Sequence, residues 1–327
     1  MINYNKLDHT VWKIFEKKIK KFSLNLNVVD VGARNGMFLL PEEYSKLSHL
    51  IGFEPNKIEY EKLSKSKMDS LKSSQKVEFK KEIFHNLALW NKKCTKDFFL
   101  TKGPGASTLM GKTNNLTELM FLHNSTNTYK QDHTEIIRKT KVKCDLLDNL
   151  MPDEIVDFLK IDTEGSELNI LEGAKRLLKN KNILMIKSEF VLFKYYNNHK
   201  LLGDLHLYLD KLGYRLICLD QEQPRYSPIL DQVPNQNDKG LSYAGDAYFV
   251  LDFAKTKLDK LKTLRLAAIS FALGFNNLGL YYVNQSTLFE KNERIKILKS
   301  LQRVSLLRAL SDLWKKFPSV IYNFIKK

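Results

Sequence analysis

Apolar residues along this chain follow two alternating patterns, short dense runs and longer stretches at helical spacing. Val28 to Val31, Leu50 to Phe53, Ile83 to Leu89, Phe158 to Ile161 and Ile183 to Ile186 are runs rich in β-branched and aromatic residues. That pattern belongs to strands buried on both faces. Between and beside them, Thr10 to Phe22, Asn56 to Ser73, Leu168 to Leu178 and Leu201 to Leu212 repeat apolar residues three and four positions apart, which predicts helices. Tyr214 to Leu219 and Ala247 to Leu251 complete the strands. The alternation predicts an α/β fold around a doubly wound, mostly parallel sheet, its last two strands forming an antiparallel, hairpin-like edge. Two segments break the rhythm. Asn91 to Lys143 holds Gly103-Pro104-Gly105 between short apolar runs and reads as a hairpin or insertion above the sheet. Asp220 to Gly245, rich in Pro, Asn, Gln and Asp, reads as a long lid or substrate loop.

Chemistry enters where the first strand ends. Val28 to Phe38 reads VVDVGARNGMF, a strand breaking into a turn that carries Gly32 and Gly36. Glycine lets the backbone approach a ligand and leaves bare N–H groups facing it. About twenty residues on, the second strand ends in Glu54, where a carboxylate can accept both hydroxyls of a ribose. The turn is G-A-R-N-G, with Arg34 and Asn35 where a dinucleotide fingerprint would carry further glycines. A pyrophosphate finds little bare backbone there, so a nucleoside ligand without phosphates fits better, and S-adenosylmethionine is such a ligand. Asn86, late in the third strand, is either an adenine contact or an amide that satisfies a loop.

A second cluster lies in VDFLKIDTEGSELNILEGAKRLL, from Val156 to Leu178. Strand becomes helix at DTEGSE, so Asp162 and Glu164 crowd the carboxyl end of a parallel strand, where open α/β sheets bind ligands. Carboxylates pressed together raise one another's pKa, which suits a proton acceptor. Glu167 reads as a helix-start carboxylate favoured by the dipole, with Ser166 or Thr163 capping. Glu189, just after the strand from Ile183, adds a carboxylate at the same edge. Asp162, Glu164 and Glu189 can therefore serve as base, or hold a divalent cation that acidifies a hydroxyl. The residues leave both readings open, and no histidine has an obvious catalytic address.

Composition narrows the class. The chain has 327 residues, 43% of them hydrophobic, enough for one large core or two modest ones. Cys94, Cys144 and Cys218 stand singly, so neither a disulfide framework nor a zinc site is expected. The N-terminal stretch is charged and lacks the apolar core of a secretory signal, which predicts a cytoplasmic protein.

Seven segments, Val28 to Phe38, Ile51 to Asn56, Asn86 to Leu89, Gly105 to Leu109, Leu146 to Leu150, Asp157 to Leu178 and Ile186 to Phe190, together resemble the FkbM-type S-adenosylmethionine-dependent methyltransferases. LKIDTEGSELNILEGA is the most specific part. The resemblance implies a Rossmann-like class I methyltransferase sheet and methyl transfer to oxygen, commonly on sugars of glycans or natural products. It also implies cofactor contacts at Asp30, Gly32, Asn35, Gly36, Glu54 and Asn86, with Asp162 at the methionine end beside the acceptor. The family usually has Asn in a GAN turn where this chain has Arg34, whose side chain is expected to point out.

This pattern stops after Asp252. The expected organisation is a helical lead-in over 1–24, a methyltransferase domain over 25–252 and a basic helical appendage over 253–327. Residues 255–327 carry 15 Lys or Arg against 4 Asp or Glu, net +11 of the chain's +16. Leu266 to Val283 is apolar but interrupted by Gly274, Asn276, Asn277 and Gly279, which argues against a membrane span. Stripes at Ile297, Leu301 and Val304 and at Leu306, Leu310, Leu313 and Phe317 point to a helix contacting its own chain, a second copy, or the anionic inner face of a membrane bearing a glycolipid acceptor. A nucleic-acid methyltransferase would use the charge, but the basic residues lie away from the expected active edge. A non-catalytic adaptor working through its tail is the other alternative.

Overall fold

A computed structural model describes residues 9–64, 77–111, 135–194, 196, 198–221, 242–254 and 256–302. Two units emerge: one of Leu26–Phe38 and Ser48–Lys257, the other of Met1–Asn25, Leu39–Leu47 and Leu258–Lys327.

The larger unit is built on β1 (Leu26–Val31), β2 (Ser48–Phe53), β3 (Lys81–His85), β7 (Val156–Ile161), β8 (Ile183–Val191), β9 (Tyr214–Gln221) and β10 (Ala244–Leu251). Their order across one sheet is β3-β2-β1-β7-β8-β10-β9. The first five are parallel, while β10 runs antiparallel to both β8 and β9, so the reversed strand lies one in from the edge. Every residue of β1 is buried, and so is all of β7 except Lys160. That explains why both are dense in apolar residues on both faces rather than alternating. The short helices α3 (Lys57–Ser64), α4 (Leu147–Leu150), α5 (Glu167–Glu172), α6 (Lys175–Lys179) and α7 (Leu202–Lys211) belong to this unit.

A second sheet accounts for the interrupted rhythm after β3. β4 (Ala88–Leu89), β5 (Cys94–Thr101) and β6 (Ile136–Asp145) pair in the order β4-β6-β5. The apolar run from Ile83 to Leu89 is thus two strands in different sheets, divided at Asn86 and Leu87. The helical stretch from Leu168 also divides. A side chain on Gly173 would come within 2.1 Å of the Trp90 carbonyl oxygen, so the chain passes there as bare backbone between α5 and α6. Most of the long loop after Asp220 lies outside the described residues.

The smaller unit joins both ends of the sequence, expected as separate pieces. α1 (His9–Lys21) buries Val11, Trp12, Phe15 and Ile19, and the short α2 (Glu42–Ser45) buries Tyr44. Phe15 meets Phe271 and Phe289 edge-on, with ring centroids 5.8 and 5.4 Å apart, and Trp12 meets Tyr44 at 6.0 Å. The Lys18 ammonium lies 2.7 Å from Glu293 and donates to the Leu288 carbonyl. Downstream, α8 (Lys260–Ala272) is capped by Asp259, whose carboxylate accepts the N–H groups of Leu261 and Lys262, and is buried from Thr263 to Ala272. Gly274, at φ +82°, ends it with the left-handed residue that helix C-termini favour. α9 (Asn276–Gln285) then returns so closely that a Cβ on Gly279 would touch the Phe271 ring at 2.7 Å. The apolar stretch is therefore two helices, and no helix among the described residues is long and apolar enough to cross a membrane. The second apolar stripe, from Leu306 on, lies outside the described residues.

Candidate active site

The carboxyl ends of β1, β2 and β7 open into a cleft lined by the Gly32 turn, Phe53 to Pro55 and the Asp162 turn. Its opposite wall comes from the second sheet and the turn after it, with Phe98, Pro104, Gly105, Ser107 and Leu109. Gly32 sits at φ +79°, and a Cβ there would lie 1.9 Å from the Asp162 carbonyl oxygen. Only glycine fits between the ends of β1 and β7. Asn35 and Gly36 continue the turn in left-handed conformations, φ +67° and +72°. Gly32 and Asn35 line the cleft, whereas Gly36 borders a smaller pocket with Leu50 and Phe84.

Glu54 faces the cleft at the end of β2 and is 6% exposed. Its Oε1 accepts the Asn56 N–H at 2.7 Å. Burial, the largest influence, pushes the carboxyl group up to about 7. Asn86 does not line the cleft; its amide donates to the carbonyls of Glu54 and Pro55 at 2.9 and 3.1 Å, bracing the strand end that presents Glu54. Arg34, expected to point out, lines the cleft, and its Nε lies 3.2 Å from the buried Glu59 carboxylate of α3.

Asp30 lies below the cleft, 1% exposed, across from Lys160 on β7. The Lys160 ammonium bridges Asp30 Oδ1 at 3.1 Å and Asp162 Oδ2 at 3.4 Å. Burial opposes the charge on Lys160, but Asp30 and Asp162 outweigh it and hold the ammonium above its ordinary value. Sequence reasoning passed over this lysine. The signal was the one cation in the strand, two residues before Asp162 and so on the same face.

The DTEGSE turn is held by its own side chains. Glu167 Oε1 accepts the Thr163 N–H, the Thr163 hydroxyl and the Gly165 N–H at 3.1, 2.9 and 3.2 Å. Glu167 caps the turn by reaching back, whereas Ser166 occupies the N-cap position without bonding the helix and donates to the Thr163 hydroxyl instead. Glu164 is left-handed, φ +58°, a costly conformation for a residue with a side chain. The Thr108 hydroxyl secures it by donating to its carbonyl at 2.6 Å.

Around this turn the sheet gathers further charge. Glu189 lies within β8, directly opposite Asp246 of β10. Burial first, then Glu164 and Asp162, push the Glu189 carboxyl well above the usual range. Lys187 neutralises Asp246 at 2.5 Å. Tyr196 donates to Glu164 Oε2 at 3.4 Å, and its neighbour His199 is buried, which lowers the imidazole to about 4 and keeps it neutral. Sequence patterns gave no address for Tyr196 or His199, because the segment after β8 lacks regular structure. No three His, Cys, Asp or Glu side chains among the described residues converge as a metal site, Asp162, Glu164 and Glu189 included.

Residues 30–216 match the Methyltransferase FkbM domain family over more than half of the chain. The chain belongs to that family, whose reaction class is S-adenosylmethionine-dependent methyl transfer. A solved structure with similarity is the magnesium protoporphyrin IX methyltransferase of Synechocystis PCC 6803 with bound S-adenosylmethionine. It is 10% identical, with 77% of this chain and 85% of that chain covered and a TM-score of 0.33. No curated protein matches the chain.

Proposed function

We propose that this chain transfers a methyl group from S-adenosylmethionine to a hydroxyl oxygen of a sugar, in a glycan or glycolipid. The residues of the cleft fit the donor. Glu54 has an oxygen left for the ribose diol, Gly32 leaves bare backbone, and Phe53, Leu87 and Leu89 supply apolar walls. S-adenosylmethionine supplies an electrophilic methyl group on a sulfonium, and in-line attack by the acceptor oxygen breaks the carbon–sulfur bond. Asp30, Lys160 and Asp162 together carry one net negative charge at that end of the cleft, which favours a cationic donor.

The observation that carries the acceptor reading is the acidic edge beside the cleft, where Asp162, Glu164, Glu189 and Asp246 gather. Carboxylates accept hydrogen bonds from sugar hydroxyls, and burial beside Glu164 and Asp162 raises the Glu189 carboxyl group above the usual range, which strengthens it as a proton acceptor. Glu189 takes the hydroxyl proton as the oxygen attacks. Asp162, ion-paired with Lys160, and Glu164, bonded to Tyr196, orient the acceptor. The same edge repels phosphates, which disfavours a nucleic acid acceptor. The test is a methyl-transfer assay with labelled donor on neutral oligosaccharides, lipid-linked sugars and RNA. Label on sugar oxygen supports the reading; label confined to RNA, or to nitrogen or carbon, refutes it.

A further inference from the structure

The fold brings together two of the three cysteines that stand far apart in sequence. Cys94 opens β5, Cys144 lies near the end of β6, and the two are directly opposite in the antiparallel ladder. Phe99 exchanges both of its backbone bonds with Thr108. Alternation along β5 therefore turns the N–H and C=O of Cys94 toward β6. On β6, the Asp145 carbonyl accepts the Trp90 N–H on the β4 side, so the backbone groups of Cys144 face β5. A pair of this kind holds its Cα atoms about 5.5 Å apart. That is within the commonest range for disulfide-bonded cysteines, about 5.5–6 Å. Cys144 is buried among Ala88, Trp90, Phe98 and Leu109, Cys94 packs on the same cluster, and Cys94 keeps the greater exposure. Burial and then the neighbouring Cys94 thiol, within hydrogen-bonding reach, push Cys144 up to about 12.

We infer that Cys94 and Cys144 form a reversible cross-strand disulfide when the chain meets a small-molecule disulfide such as oxidised glutathione. The more exposed Cys94, as thiolate, attacks one sulfur of the oxidant and releases one glutathione thiolate. Cys144 then gives up its proton and displaces the second glutathione, closing the protein bond. In sum, two protein thiols lose two electrons and two protons, and the oxidant becomes two thiols. Opposed Cβ atoms start about 4.5–5.5 Å apart, against about 3.5–4.5 Å in a disulfide, so closure draws the strands slightly together and the bond reduces readily. The bond would close the loop that carries Phe98 and Pro104 to Leu109, the wall of the cleft. It stands independently of the acceptor and of the reaction.

The full-length chain, reduced and then held with excess oxidised glutathione, is denatured in an alkylating agent and mapped by mass spectrometry. The expected result is a fall from three free thiols to one, the survivor being Cys218, with a peptide linking Cys94 to Cys144 that dithiothreitol reverses. Cys218→Ser should form the same bond and leave no free thiol. Three surviving thiols, a glutathione adduct persisting on Cys94, or linkage through Cys218 or between chains overturns the inference.

Discussion

Replacing Glu54 by Gln separates two consequences of one buried carboxyl group. Its side chain is 6% exposed, and burial raises it from 4.5 to about 7. Between those values the folded chain holds a proton that the unfolded chain releases, so stability falls as pH rises from about 4.5 to about 7 and stays low above. A difference of that size is worth about 3 kcal/mol. Gln keeps the shape and can still accept the Asn56 N–H, but it does not ionise. Without ligand, Glu54→Gln should resist urea better than wild type at pH 8, by up to about 3 kcal/mol, and match it at pH 4.5. Cofactor binding should move the other way. Ribose hydroxyls bond a carboxylate more strongly than an amide, so two weakened bonds of about 1 kcal/mol each predict a ~10- to 100-fold loss of affinity. Wild-type affinity should also tighten between pH 6 and 8, with proton release, because the ligand favours the ionised form. Calorimetry in two buffers of different ionisation heat reads both quantities. A variant less stable than wild type at pH 8, or one with wild-type affinity and pH dependence, would refute this reasoning.

Three further substitutions probe the site. Gly32→Ala should lower the melting temperature as well as cofactor binding, since left-handed strain alone costs about 1–2 kcal/mol and the added Cβ meets the Asp162 carbonyl at 1.9 Å; an unchanged thermal transition would contradict the packing described. Glu189→Gln should cut kcat by about 10²- to 10⁴-fold with little change in acceptor KM. It should also abolish the acidic limb along which wild-type activity rises as this raised carboxyl group ionises, and a retained limb would assign the base elsewhere. Lys160→Met leaves Asp30 buried without its cation and should cost about 3–5 kcal/mol in urea unfolding, with Asp30→Asn in the same chain restoring most of the loss.

The strand-and-glycine pattern at Val28 to Gly36, the carboxylate closing β2 and the DTEGSE turn were legible in sequence because each is local. A parallel strand buried on both faces is mostly apolar, and a turn that approaches another backbone as closely as Gly32 does must carry glycine. The tertiary structure adds constraints that the local pattern does not carry. Gly32 reads as bare backbone for a ligand, yet its immediate constraint is the Asp162 carbonyl on a strand about 130 residues away. Asn86 reads as either an adenine contact or an amide that satisfies a loop, and its amide nitrogen donates to the Glu54 and Pro55 carbonyls at the end of β2.

Alternation along separate strands determined the class of fold, the edge at which chemistry gathers and several of the acids there. Register between strands decided the rest. It set Lys160 against Asp30, Glu189 against Asp246 and Cys94 against Cys144, while side-chain packing, Phe15 on Phe271 and Phe289, joined α1 to the helices after Leu258 in one unit. A periodicity tells which face a side chain takes, because that depends only on backbone geometry between near neighbours. It says nothing about which residue stands opposite, because that is chosen by the packing of the whole sheet.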